Sequence, residues 1–131
     1  MSPLSPELTY LVWSVALCVV QMLIAVNAIL PQVGLPMVAG NRDKMPALEG
    51  LAGRALRAHY NMLENLPLFI ALILVAQVAG RSNSTTALGA ELFFYARLVH
   101  AIIYLVGIPY LRTLVWAVSM AGLVMIFLQL I

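Results

Sequence analysis

Four polar side chains recur at helical spacing near the start of the second apolar segment of the chain. Arg54, Arg57, Asn61 and Glu64 are three or four residues apart, which places them on one face of an α-helix. Arginine is always charged and presents a planar fork of donors that matches a carboxylate. This stripe therefore predicts a surface for an anionic ligand, on which Asn61 adds a directional hydrogen bond.

A second polar stripe lies in the third apolar segment and continues into the fourth. Arg97, His100 and Tyr104 again follow spacings of three and four, and Arg112 opens the fourth segment just after Gly107–Pro109. The polar halves of the three segments should converge on one patch of the helical bundle. We expect that patch to accept an anionic ligand from the cytoplasmic side.

The same residues have a structural interpretation. Glu64 paired with Arg57 or Arg97 would form an interhelical ion pair that holds the bundle together without any ligand. The excess of arginine over acid weighs against this, because a purely structural network tends toward balanced charge. The sequence leaves both interpretations open and favours the anion site.

Composition identifies lipid as the solvent for most of the chain. Of 131 residues, 63% are apolar and 9% are charged, whereas soluble domains carry about 25% charged residues. The net charge of +2 comes without a basic cluster, so nucleic-acid binding has little electrostatic support. The single cysteine, Cys18, excludes a disulfide within the chain, and no spacing typical of metal ligands recurs.

Four apolar segments predict an all-α transmembrane four-helix bundle that forms one domain over residues 1–131. A spanning helix needs about 20 mostly apolar residues. Pro31, Gly34 and Pro36 are expected to end the first helix, and residues 31–50 form the one long loop. The predicted helices cover residues 8–30, 51–79, 87–106 and 110–131.

Basic residues near the segment ends indicate the orientation in the membrane. One side carries five of them, and Arg81 is alone on the other. The positive-inside rule then places the long loop and the Gly107–Arg112 turn in the cytoplasm and both termini on the opposite side. The N-terminal segment lacks the basic start and cleavage site of a secretory signal, so we interpret it as a retained helix.

Residues 54–67 (RALRAHYNMLENLP) resemble the helix-two signature of the MAPEG family, the membrane-associated proteins in eicosanoid and glutathione metabolism. Residues 95–104 (YARLVHAIIY), followed by Arg112, resemble the site on the family's third and fourth helices. The length, the order of four helices and the long first loop also match. The resemblance covers essentially the whole chain.

The resemblance implies a homotrimer of four-helix bundles, with glutathione bound between neighbouring subunits near the cytoplasmic face. From the residue spacing we expect no metal. Arg112 matches the arginine that stabilises the glutathione thiolate. The resemblance assigns glutathione binding to seven residues: Arg54, Arg57, Asn61, Glu64, Arg97, His100 and Tyr104.

Three features of the sequence depart from the family pattern. Tyr60 stands where some members carry a further arginine, and Trp116 stands where some carry a tyrosine. The first segment has no basic residue before Arg42, whereas several members place one near the end of that helix. This variation resembles that of bacterial members and favours a bacterial inner membrane.

The function implied by the resemblance is a glutathione-dependent transferase or peroxidase that attacks lipophilic electrophiles delivered by the bilayer, a chemistry suited to detoxification. One alternative is a non-catalytic lipid-binding or scaffold protein of the same fold. Such a protein would not need Arg57, Asn61, Glu64, Tyr104 and Arg112, so their presence favours the enzyme. The interpretation as a small transporter or channel subunit has less support, because the polar residues cluster at one end of the bundle and do not line a full path across it.

Overall fold

The structure is a computed structural model that describes residues 2–131. These residues form four long helices and one short helix, without a β-strand. Each long helix is long and apolar enough to cross a membrane, which confirms the predicted four-helix fold. The helices are α1 (Pro6–Val33), α2 (Leu35–Ala39), α3 (Gly50–Val78), α4 (Ser84–Val106) and α5 (Pro109–Leu128).

The first helix runs beyond its predicted end. Ser5 caps its start, with its hydroxyl accepting from the Leu8 N–H at 3.3 Å. Pro31 was expected to end α1, but it lies inside the helix, which stops at Gly34 with φ 80°. A proline this close to a helix end removes only one ladder hydrogen bond, and a glycine adopts a positive φ at little cost.

The predicted long loop is shorter than expected because α2 occupies its first part. The remaining segment, residues 40–49, returns to the bundle at Glu49. There the Gln32 side-chain amide donates to the Glu49 carbonyl at 2.8 Å and accepts from the Glu49 N–H at 3.3 Å. These two bonds fasten the end of the loop to the last turn of α1.

Close backbone contact joins α4 to α5. A Cβ built on Gly89 would lie 2.7 Å from the Gly122 carbonyl oxygen, and one built on Gly122 would lie 2.6 Å from the Gly89 carbonyl oxygen. In lipid, small residues let helices approach closely where no hydrophobic effect drives them together. This approach packs α4 closely against α5, the two helices that carry Tyr104 and Arg112.

Polar contacts join the helices at the end of the bundle away from the long loop. Glu7 is 3% exposed, and its carboxylate accepts from the Thr86 hydroxyl at 2.7 Å. The Gln77 amide donates to the Ser5 hydroxyl at 2.9 Å. Between the two ends, the rings of Phe69 and Phe93 stack with centroids 4.1 Å apart in the apolar core.

Candidate functional site

Helices α3, α4 and α5 surround an open cleft of about 240 Å³. We call it the α3–α5 cleft. It lies where both polar stripes of the sequence were expected to meet. Six side chains line it: Asn61, His100, Tyr104, Arg112, Thr113 and Trp116.

Arg112 supplies the positive charge of the α3–α5 cleft. It lies in the first turns of α5, which begins at Pro109, so the positive end of the helix dipole reinforces its charge. Its guanidinium carbon lies 4.4 Å from the centre of the Tyr104 ring, within the range of a cation–π contact. The ring holds the cation at the wall of the cleft, where it can face an anion.

Arg97 lies behind the α3–α5 cleft and does not line it. It is 1% exposed, and its Nη2 donates to the Asn61 Oδ1 at 2.7 Å. Its Nε and Nη1 have no hydrogen-bond partner among residues 2–131. Because the Asn61 carbonyl is engaged by Arg97, the Asn61 amide N–H groups remain for a ligand in the cleft.

Asn65 and Trp116 extend this arrangement, and neither was predicted from the sequence as a site residue. The Asn65 amide donates to the Asn61 backbone carbonyl at 2.6 Å and to its Oδ1 at 3.4 Å. The Trp116 indole N–H in turn donates to the Asn65 Oδ1 at 3.3 Å. Asn65 lies one helical turn after Asn61, and that spacing was the available signal. Trp116 thus connects α5 to the orientation of Asn61.

His100 contributes a nearly buried imidazole to the α3–α5 cleft. It is 2% exposed, and its ring centroid lies 5.6 Å from that of Tyr104. Its Nδ1 has no hydrogen-bond partner among the described residues. This nitrogen is buried, and its hydrogen-bonding capacity is not satisfied within the described chain.

Arg54 lies at the turn between α4 and α5, outside the α3–α5 cleft. Its Nε donates to the Leu105 carbonyl at 3.0 Å, which satisfies one of the unpaired carbonyls at the end of α4. Its side chain also packs against Gly107, which adopts φ 92°. Arg54 therefore fixes the turn that leads into Arg112, a supporting position that helical spacing did not indicate.

Arg57 and Glu64 do not join the α3–α5 cleft of the same chain. Both are exposed on α3, and Arg57 lines a separate cavity with Arg42 and Tyr60. The expectation that the arginines of all three helices share one cavity is therefore not met within a single chain. The possible pairing of Arg97 with Glu64 is replaced by the bond to Asn61. No cluster of three potential metal ligands occurs in residues 2–131.

Comparison with known proteins gives one family over nearly the whole chain. The family model described as the MAPEG family matches residues 8–131. The chain belongs to the MAPEG family. Residues 2–131 of this MAPEG chain contain four apolar helices long enough to cross a membrane, and the chain is an integral multi-pass membrane protein.

The MAPEG chain is also similar to microsomal glutathione S-transferase 1 of Bos taurus and of Homo sapiens. Each is 41% identical to it over 69 residues, which cover 53% of this chain and 44% of the relative. The matched region therefore spans less than half the length of those curated relatives. No solved structure matches the chain.

Proposed function

We propose that this MAPEG protein is a glutathione transferase or peroxidase that binds the glutathione thiolate against Arg112. The observation that carries this proposal is the guanidinium of Arg112 held over the Tyr104 ring at the wall of the α3–α5 cleft. The MAPEG family match and the two microsomal glutathione S-transferase 1 relatives support glutathione as the thiol.

Arg112 is proposed to shift the glutathione thiol toward its reactive anion. A free thiol has a pKa of about 8.5 and is mostly protonated at neutral pH, although only the thiolate is a strong nucleophile. A guanidinium within hydrogen-bonding reach stabilises the anion, and each unit of pKa depression corresponds to about 1.4 kcal/mol. The dipole of α5 acts in the same direction.

With an aromatic chloride as the electrophile, the thiolate replaces the chlorine. The thiol proton passes to water, and the sulfur uses its electron pair to form a bond to the halogen-bearing carbon. Chloride departs with the electron pair of the broken carbon–chlorine bond, leaving a thioether. Arg112 stabilises the negative charge of the sulfur before attack, and a lipophilic substrate reaches the site by partition into the bilayer.

The polar groups of glutathione require donors and acceptors besides Arg112. The free N–H groups of the Asn61 amide, the His100 imidazole and the Tyr104 hydroxyl provide them in the α3–α5 cleft. Arg97 and Arg54 support this site from behind, one by orienting Asn61 and the other by fixing the turn before α5.

A second copy of the chain is proposed to complete the site, as in a homotrimer. Glu64 is exposed near the middle of the 29-residue α3, at a depth where an ionised side chain costs about 2.5–3.5 kcal/mol in lipid. Packing this face of α3 against the cleft of a neighbour would cover Glu64 and bring Arg57 to the same ligand. Glutathione would then lie between subunits.

The proposed location is a bacterial inner membrane. Arg42, Lys44 and Arg57 lie at or near the loop end of the bundle and Arg81 at the other, so the loop end faces the cytoplasm by the positive-inside rule. Four spans return the chain to its starting side, so both termini face away from the cytoplasm. Cytoplasmic glutathione then reaches the site directly.

Two measurements on the purified, detergent-solubilised protein test the proposal. Calorimetry should detect glutathione binding at submillimolar to millimolar concentration, and the protein should conjugate glutathione to 1-chloro-2,4-dinitrobenzene. The absence of both binding and conjugation at 10 times that concentration would contradict the enzyme and favour a lipid-binding protein of the same fold. Binding without conjugation would place the chemistry on another electrophile or on peroxides.

A further inference from the structure

Three aromatic rings meet on the outer surface between α1 and α4, toward the end of the bundle away from the long loop. We call them the aromatic patch: Tyr10 of α1, and Phe94 and Tyr95 of α4. Each ring centroid lies 5.2–5.9 Å from the other two, and Trp13 packs against Tyr10 at 5.4 Å. The Tyr95 side chain is 46% exposed. The aromatic patch therefore faces whatever surrounds the bundle at this depth.

A carboxylate adjoins the aromatic patch. Glu91 precedes Phe94 by three residues and Tyr95 by four on α4, and these spacings place the three side chains on one face of the helix. The Glu91 side chain is exposed, and its Cα lies about 10 Å along α4 from Ser84, inside the apolar span. An ionised carboxylate at that depth requires a partner other than lipid.

The basic residues of the chain lie at other depths than Glu91. Helix α1 contains none, and Arg97, six residues later on α4, is buried and donates to Asn61. Arg81, in the turn before α4, donates to the Leu130 carbonyl, and the others lie at or near the loop end. A second copy of the chain in the same orientation presents its basic residues at these same depths. The partner of Glu91 is therefore a cation from outside the protein.

The surroundings of Glu91 favour a simple ammonium group over a phosphate-bearing headgroup. The faces of aromatic rings attract ammonium groups, including quaternary ones, and Tyr95 offers such a ring one helical turn from the carboxylate. Neither Glu91 nor the aromatic patch supplies a basic side chain, so a phosphate would lie against a carboxylate without a compensating charge. An alkylammonium avoids that repulsion.

An apolar track continues from the aromatic patch along the same face of α4. Val99 follows Tyr95 by four residues and Ile102 follows it by seven, and their side chains are 43% and 55% exposed. Residues at these spacings share one helical face. About 10 Å of hydrocarbon surface thus runs from Tyr95 toward the loop end, and an alkyl chain can lie along it.

We propose that this face of α4 binds an alkylammonium amphiphile from the surrounding membrane. The ammonium group lies between the Glu91 carboxylate and the Tyr95 ring, and the alkyl chain lies along Val99 and Ile102. This surface shares no residue with the α3–α5 cleft, and the inference does not depend on glutathione chemistry.

Native mass spectrometry of the protein in a non-ionic detergent tests the proposal, because one spectrum counts both the subunits and the bound amphiphiles. Dodecyltrimethylammonium is the cationic probe. Dodecylphosphocholine is the matched probe, since it carries the same ammonium group and alkyl chain with a phosphate between them. We expect dodecyltrimethylammonium to bind about tenfold more tightly than dodecylphosphocholine.

Glu91→Gln is the decisive variant, because it keeps the size of the side chain and removes its charge. It should weaken the binding of dodecyltrimethylammonium about tenfold, since a neutral amide replaces a charged partner. Asp43→Asn removes a carboxylate from the long loop, so it should bind this probe like the wild type.

A second variant tests the aromatic ring. Tyr95→Leu replaces it with an aliphatic side chain and should weaken the binding of dodecyltrimethylammonium roughly threefold. Equal binding of this probe by the wild type and Glu91→Gln would overturn the proposal. Equal or tighter binding of dodecylphosphocholine would also overturn it and assign the face to phospholipid headgroups, and loss of the oligomer in Glu91→Gln would assign it to a neighbouring subunit. Glutathione conjugation, measured on the same variants, reports separately on the proposed role of Arg112.

Discussion

The guanidinium carbon of Arg112 lies 4.4 Å from the centre of the Tyr104 ring. This contact joins the first turns of α5 to the last turns of α4 across the Gly107 turn. Because Arg54 holds that turn from α3 through its bond to the Leu105 carbonyl, three helices determine where the cation lies. The position of Arg112 is therefore a property of the bundle and can be altered from several sites.

Arg112 itself should determine turnover. Arg112→Gln removes the charge that stabilises the thiolate, and the loss of one such group lowers kcat by about 100- to 1,000-fold. Glutathione affinity should change less, because other side chains hold the rest of the molecule. Steady-state conjugation and calorimetry on the same preparation measure the two effects, with Lys44→Gln as a control for a general loss of charge. Wild-type turnover in Arg112→Gln would exclude the proposed role.

Tyr104 should act through its ring as well as its hydroxyl. Tyr104→Phe keeps the face beneath Arg112, whereas Tyr104→Leu removes it, and a cation–π contact contributes about 0.5–2 kcal/mol. We expect kcat to fall more in the leucine variant than in the phenylalanine variant, by roughly three- to tenfold. Equal kcat values in the two variants would show that the contact does not position the guanidinium.

Arg97 should support glutathione binding without stabilising the fold. Arg97→Met removes a buried, incompletely paired charge, and such replacements are often neutral or stabilising. The thermal unfolding midpoint in detergent should therefore be equal to or higher than that of the wild type. Without the bond to the Asn61 Oδ1, the amide loses its orientation, so Kd for glutathione should rise about fivefold, or ~1 kcal/mol. A lower midpoint with unchanged affinity would assign Arg97 a structural role alone.

Replacing Trp116 should weaken glutathione binding without changing turnover. Trp116→Phe keeps an aromatic ring but removes the indole N–H that donates to Asn65. The loss of about 1 kcal/mol from this hydrogen bond should raise Kd for glutathione by up to fivefold and leave kcat nearly unchanged. Calorimetry resolves the change, and Trp13→Phe, on a helix outside the α3–α5 cleft, is the matched control.

Gly122 should be intolerant of even one added carbon. A Cβ on Gly122 would overlap the Gly89 carbonyl at 2.6 Å, so Gly122→Ala must separate α4 from α5 or shift both backbones, at a cost of about 1–3 kcal/mol. The unfolding midpoint in detergent and kcat should both fall. Ala121→Ser, at the exposed neighbouring position, should change neither.

The sequence predicted the helices because apolar length and proline and glycine positions are local properties. It did not predict that Pro31 would lie inside α1 or that α2 would form in the loop, because a proline near the end of a helix removes only one ladder hydrogen bond and a five-residue helix is too short to leave an apolar pattern. The polar stripe of α3 shows the limit of spacing arguments. Asn61 turns toward α4 and α5, while Arg57 and Glu64 are exposed, because a stripe tens of degrees wide can face more than one neighbour.

The lone bond between Arg97 and Asn61 has a consequence for biosynthesis. Helix α4 brings a guanidinium into the bilayer, and its partner is carried by α3, which leaves the ribosome first. Insertion as a helical hairpin shields the charge during entry, whereas α4 arriving without α3 would meet the full penalty of a bare cation in hydrocarbon. The order of these two segments along the chain thus matches the order in which the membrane can accept them.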